Sequence, residues 1–287
     1  TSLNVFARSE PVERMFERCR RAGFDAVDYN YTDHQFEFAE MSAAQHTAIA
    51  KEVNRASRQA GLPVVQMHGP IFRKFADDPK ARQMHELSLR CFDFAAEIGC
   101  PWVVFEPDVL PGSFTRDHWE ANLAANVDLF AAFAAAAARA GTGVAIENVA
   151  DAPRAPRRQF GATPAELVLL VEKIEMPNVG ICWDTGHAHL QGLDQQAALA
   201  SLGAHLVALH IADNDRSGDS HLLPFMGTVD WRSVLQGLHA AGYEGAFAYE
   251  VHNAFRMPDP LRDGLLEYAA RLGKYLTSSE FVRSADA

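Results

Sequence analysis

Cysteine is scarce: four in 287 residues, none in a CxxC spacing, which leaves little for a disulfide framework or a thiolate zinc site. Cys19, Cys91, Cys100 and Cys182 lie in or beside predicted helix and strand interiors and read as reduced core residues. Long hydrophobic runs are missing as well. No segment approaches 18 consecutive apolar residues without a polar break, so no membrane span is expected. The opening residues, TSLNVFARSE, lack a secretory signal pattern, and a soluble cytoplasmic protein is the expectation. Basic charge is in deficit, with 26 Lys and Arg against 37 Asp and Glu and a formal net charge of −11. That balance opposes unaided association with nucleic acid or an anionic membrane, although it says little about a local patch. No Gly-rich phosphate loop follows the first apolar run, where VFARSEP stands, and this counts against a doubly wound dinucleotide-binding sheet.

What is present is an ordinary globular composition, 48% hydrophobic and 22% charged. Apolar or β-branched runs fall near residues 3–7, 26–29, 64–68, 102–106, 144–148, 179–184, 206–211 and 246–251. Helical patterns lie between them, near 11–21, 43–60, 81–98, 117–140, 163–175, 194–201, 231–241 and 260–276. Glycine stands just past five of these helices, in RAGF, QAGLP, EIGCP, RAGTG and AAGYEG, where a left-handed cap is favoured. No Pro/Gly/Ser linker separates two halves. Eight strand-helix units in such a length predict an α/β protein, a single (β/α)8 TIM barrel over 1–287 with its helices outside.

The strand ends carry the chemistry. VVQMH ends at His68, WVVFE at Glu106, VAIEN at Glu147 and Asn148, GICWD at Asp184, LVALH at His210 and AFAYE at Glu250. In a TIM barrel the carboxyl ends of the strands form the active face, so these side chains are expected to converge there. Side-chain parity adds to this: if Glu147, Asp184, His210 and Glu250 point inward, so do Ala145, Cys182, Ala208 and Ala248. Those four are small and leave room for a polar site above them, whereas Ile146, Trp183, Leu209 and Tyr249 face the helices. Two Glu, one Asp and one His make a hard, oxygen-rich set suited to a divalent ion with open positions. Mn²⁺ fits best, and Mg²⁺, Co²⁺ or Zn²⁺ are compatible.

The segments MHGP, IEN, CWDTGHAH, LHIADNDR, the run from Asp219 through His221 to LLPFMGTVDW, and YEV together resemble the xylose isomerase-like TIM-barrel superfamily. Its members include D-tagatose 3-epimerase, hydroxypyruvate isomerase, inosose dehydratase and DNA repair nucleases of the endonuclease IV type. The likeness to the sugar epimerases implies that Glu147, Asp184, His210 and Glu250 hold one divalent metal and that His187 and Arg216 touch substrate oxygens. It also implies that the two glutamates form the acid/base pair around a metal-stabilised enediolate. In the endonuclease branch, residues matching His68, Asp219 and His221 belong to a three-metal cluster, but that branch has a His where this chain has Glu106. Here His68, Glu106, Asp219 and His221 are read as substrate-facing.

The resemblance makes a metal-dependent sugar, sugar-phosphate or sugar-acid isomerase or epimerase the leading expectation. An inosose-type dehydratase, an abasic-site nuclease and a non-catalytic sugar-binding barrel stay open. The expected partner is a small carbohydrate, not nucleic acid or membrane, and nothing in the sequence selects a monomer over a homo-oligomer. Arg73, Lys74, Arg154, Arg157, Arg158, Arg216 and Arg256 fall near the expected mouth, as solvated loop charges or as an anion grip. His34, His46, His85, His118, His205 and His239 receive no role, His189 is expected to pack or cap, and His252 and Asn253 to lie behind Glu250.

Overall fold

The computed structural model describes residues 1–6, 8–112, 118–151, 159–252, 256–278 and 281. Six parallel strands form one curled sheet in sequence order: β1 Val27–Asn30, β2 Val64–His68, β3 Trp102–Phe105, β4 Gly143–Glu147, β5 Val179–Asp184 and β6 Leu206–His210. The helices are α1 Val12–Ala22, α2 Gln35–Glu40, α3 Ala43–Ala60, α4 Pro79–Glu97, α5 Trp119–Ala140, α6 Pro164–Ile174, α7 Thr185–Leu190, α8 Gln195–Leu202, α9 Trp231–Ala241 and α10 Asp259–Leu276. The five glycines expected past helix ends, Gly23, Gly61, Gly99, Gly141 and Gly242, all take positive φ, a region in which a Cβ is penalised.

Two expected strands are not regular strands. Leu3–Val5 winds into a 3₁₀ turn, with Phe6 N bonded to Leu3 O. The 246–251 run pairs only through Tyr249, which forms a single parallel bridge to Ile211. Closure nevertheless passes through these segments. Ser2 bridges to Asp28 of β1, and Ser2 N donates to Tyr249 O at 2.8 Å, so the first and last members of the ring are reduced to one residue pair each.

Alternation along the strands separates two cores. Val103, Phe105, Val144, Ile146, Ile181, Trp183 and Leu209 join the large cluster shared with the helices. Trp183 is fully buried there, its indole N–H donating to Gln195 Oε1 at 3.0 Å. Inside the barrel a separate small cluster forms from Val104, Ala145, Cys182 and Ala208. Small side chains at this level leave the space above them to the polar strand ends. All four cysteines are free and buried.

Helix α5 is long and apolar enough to cross a membrane, with a mean hydropathy of 1.4 over its best window, half of which is buried in this fold. Its buried face includes Phe130, Phe133, Asn122 and Asn126. The two asparagines fasten the loop after β3: Leu110 N donates to Asn122 Oδ1 at 2.8 Å, and Asn126 Nδ2 donates to Asp108 O at 2.8 Å. That loop carries Glu106 and Asp108 to the barrel mouth.

Candidate metal centre and active site

Glu147, Asp184, His210 and Glu250 come together at the carboxyl end of the barrel, with one potential ligand atom from each lying within 4.8 Å of the others. All four are buried. Their order round the ring follows the strands: Glu147 ends β4, Asp184 ends β5, His210 ends β6, and Glu250 follows the bridge to Ile211. The two glutamates therefore flank an arc whose middle is Asp184 and His210. His210 Nδ1 lies 2.8 Å from Glu147 Oε1 and 3.4 Å from Glu250 Oε2.

Asp184 is held by its backbone and by one oxygen. Its N donates to Asn148 Oδ1 at 2.6 Å, and its O accepts from Asn148 Nδ2 at 2.9 Å. Its Oδ1 caps the following turn, accepting from His187 N at 2.5 Å. Oδ2 has no hydrogen-bond partner among the described residues. Glu147 Oε2 is likewise buried without a hydrogen bond, with His68 Nε2 at 3.5 Å. Buried carboxylate oxygens left in this way are costly unless a cation completes them. Three carboxylates and one imidazole, with two such oxygens, fit a divalent ion.

Titration behaviour follows from this crowding. Burial pushes the Asp184 carboxyl up to about 7, opposed by His187 and helped by Glu147, Glu250 and Asp219. Burial works in the same direction on Glu147, but the His210 and His68 imidazoles hold it well below the usual carboxylate range. Burial alone would favour neutral imidazoles, yet Asp184, Asp219 and Glu147 raise His187, and Cys182, Glu147, Glu250 and Asp28 raise His210, well above the ordinary value.

The other residues singled out from the sequence divide into two groups. His68 and Glu106 approach Glu147 closely enough to form a second ligand-capable cluster. Asp219 links two histidines, its Oδ2 standing 3.3 Å from His187 Nε2 and 2.9 Å from His221 Nε2. His187 Nδ1 lies 2.8 Å from Asn148 O. His221 stacks on His252 with ring centres 3.7 Å apart. Arg216 is exposed and is not among the residues that line the cleft beside Glu106, His187 and Asp219, a lining that the four buried ligand residues do not join either. His189 packs against Thr228, with Nε2 and Oγ1 2.8 Å apart. Lys74 lines the cleft with Glu106 and Asp108. Arg154, Arg157, Arg158 and Asn253 lie outside the described residues.

The loop that follows β6 is built around a residue not singled out from the sequence. Asp213 is buried and accepts from Phe225 N, Val229 N and Trp231 Nε1, each at 3.0 Å. A Cβ at Gly227 would collide with Asp213 Oδ1 and the Asn214 carbonyl, so the loop closes only on glycine there. Asp213→Ala would leave several buried N–H groups unpaired, and a loss of roughly 3 kcal/mol or more is expected on urea unfolding. Amide exchange should quicken over 213–231, the segment that carries Asp219 and His221. Unchanged exchange there would rule out Asp213 as the anchor.

The sequence profile of the xylose isomerase-like TIM barrel matches residues 16–274. The chain belongs to this family. Within the xylose isomerase-like barrels it is 27% identical over 261 residues to the uncharacterized protein y4fM of Sinorhizobium fredii, a match covering 84% of this chain and 81% of that one. An inosose dehydratase of Geobacillus thermodenitrificans is 28% identical over 134 residues, 40% of this chain and 42% of that one. Among solved structures, a D-tagatose 3-epimerase-like protein matches with a TM-score of 0.75 at 20% identity, covering 100% of this chain and 98% of that one. D-psicose 3-epimerase of Clostridium cellulolyticum H10, solved with D-tagatose, gives 0.75 at 14% identity, covering 96% of this chain and 97% of that one. At these identities the structural likenesses show a shared fold.

Proposed function

We propose that this chain is a divalent-metal-dependent isomerase or epimerase of a carbohydrate, with one ion at Glu147, Asp184, His210 and Glu250. The observation that carries the reading is the gathering of four buried ligand atoms within 4.8 Å at the carboxyl end of the barrel. The names of the D-tagatose and D-psicose epimerase neighbours support the substrate class. Mn²⁺ is the ion of choice for an open oxygen-rich set, with Mg²⁺, Co²⁺ and Zn²⁺ as alternatives. When bound, the ion supplies Lewis-acid stabilisation of negative charge developing on substrate oxygens.

The chain's own residues supply the rest. Glu147 and Glu250 flank the site, so a sugar carbon held between them meets a carboxylate on each side. One takes the proton next to the carbonyl and the other returns it, which inverts a single centre. His187, whose imidazole Asp184 and Asp219 push well above its usual range, lines the cleft with Asp219 and is read as the group that meets a substrate oxygen. His68, Glu106, Asp219 and His221 border the same space and orient hydroxyls.

The test is proton exchange. Metal-loaded protein incubated in D₂O with ketohexoses, 3-keto-glucosides and inososes is expected to place deuterium beside the carbonyl of at least one of them, read by NMR. No exchange with any of the three classes would sink the reading. The inosose dehydratase relative supports a second outcome on the same residues, in which proton abstraction is followed by loss of a hydroxyl. A dehydrated product in place of an epimer would select it.

A further inference from the structure

Beneath the carboxylate ring lies a buried polar pair that the reaction outlined above does not use. Asp28 of β1 and Gln66 of β2 are 1% and 2% exposed. Gln66 Nε2 donates to Asp28 Oδ2 at 2.9 Å and to Leu209 O at 2.9 Å. Both amide hydrogens are thereby engaged, which fixes the orientation of the amide. Asp28 Oδ2 lies 3.3 Å from His210 Nε2, a buried nitrogen with no hydrogen bond among the described residues, while the opposite ring nitrogen, Nδ1, faces Glu147 and Glu250 at 2.8 and 3.4 Å. His210 thus stands between two anionic sets, one above it and one below.

A carboxylate buried beneath the strand ends is expensive if it only fills space. The small cluster inside the barrel is built from Val104, Ala145, Cys182 and Ala208. Asp28 has Gln66 and His210 as its side-chain neighbours at polar distance, and its Oδ1 is buried with no hydrogen bond among the described residues. Its Oδ2 therefore faces Gln66 on one side and His210 on the other. A neutral imidazole carries one proton, and the nitrogen that binds a cation must be free of it. With Nδ1 turned to the ion site, the proton belongs on Nε2, the nitrogen facing Asp28.

We propose that Asp28, oriented by Gln66, is a positioning residue for His210. It accepts the Nε2 proton, keeps the Nδ1 lone pair directed at the ion site and raises the basicity of that ligand. The inference rests on the metal site proposed above.

Metal-free wild-type, Asp28→Asn and Gln66→Leu full-length chains are titrated with Mn²⁺, and free ion is read by electron paramagnetic resonance. Asp28→Asn is expected to weaken binding by about 10- to 100-fold, the usual effect of removing a carboxylate behind a histidine ligand. Gln66→Leu keeps the charge but frees it, and a smaller loss is expected. This second variant carries the test if Asp28→Asn folds poorly. On Zn²⁺-loaded, ¹⁵N-histidine-labelled protein, wild type should show a protected Nε2–H resonance for His210 that Asp28→Asn lacks. A wild-type chain that binds no Mn²⁺ overturns the metal site and this role together. A wild type that binds, with Asp28→Asn within twofold of it, overturns the role of Asp28 alone.

Discussion

Glutamine in place of Glu147 or Glu250 is expected to remove nearly all net turnover while the protein folds normally. The substitution is close to isosteric, and in Glu147→Gln a side-chain amide would stand where Glu147 Oε1 now lies 2.8 Å from His210 Nδ1. What it removes is the capacity to take up a proton, together with one charge of the ion site. General acid/base groups of this kind contribute about 10²- to 10⁴-fold, so a loss of at least two orders of magnitude in kcat is expected for each variant. Metal content measured alongside separates loss of the base from loss of the ion. The flanking arrangement makes a sharper demand. If each glutamate serves one face of the reacting carbon, each variant loses epimerisation but retains slow deuterium wash-in from one epimer only. Wild-type rates in either variant would end the assignment. Equal residual wash-in from both epimers would show that a single base serves both faces.

The middle of the barrel was legible because its strands are short, β-branched and buried on both faces. The runs at 64–68, 179–184 and 206–211 match β2, β5 and β6 within one residue. Helices α3 and α9 match at both ends, because each is closed by a glycine in the left-handed region. The two ends of the ring were not legible as they stand. Whether LNVF extends or winds depends on what lies beside it, and among the described residues the one bridge at this end is made by the preceding Ser2, to Asp28. Helices α2 and α7 are six residues each, too short to show a period.

Parity made the convergence of Glu147, Asp184, His210 and Glu250 readable, since one register places all four inward. The same argument reaches Asp28 and Gln66, which alternate with Val27, Tyr29, Val65 and Met67. A polar residue between apolar ones at an inward strand position was the available signal, one layer below the strand ends. Asp213 and Arg216 gave no such signal. Their placement depends on a loop that takes positive φ at Arg216, His221 and Phe225, and strand or helix periodicity carries no information there.

Asp184 offers the cleanest separation of scaffold from ligand, because its two oxygens do different things. Oδ1 caps the turn into α7 through His187 N, and asparagine caps about as well as aspartate. Oδ2 is the buried oxygen with no hydrogen bond among the described residues. Asp184→Asn should therefore leave the metal-free protein close to wild type in melting temperature. With wild type, ion at about a hundredfold over its Kd adds about 2.7 kcal/mol, which for a chain of this size raises Tm by roughly 4 to 5 °C. Asp184→Asn is expected to lose most of that rise, and a chelator should abolish it in wild type and have little effect on the variant. The sign of the charge effect reinforces the contrast. Crowding by Glu147, Glu250 and Asp219 helps burial push the Asp184 carboxyl up to about 7, so removing its charge relieves repulsion in the metal-free state. A variant that melts lower without metal but keeps the full metal-induced rise would assign Asp184 to the scaffold and take it out of the ligand set.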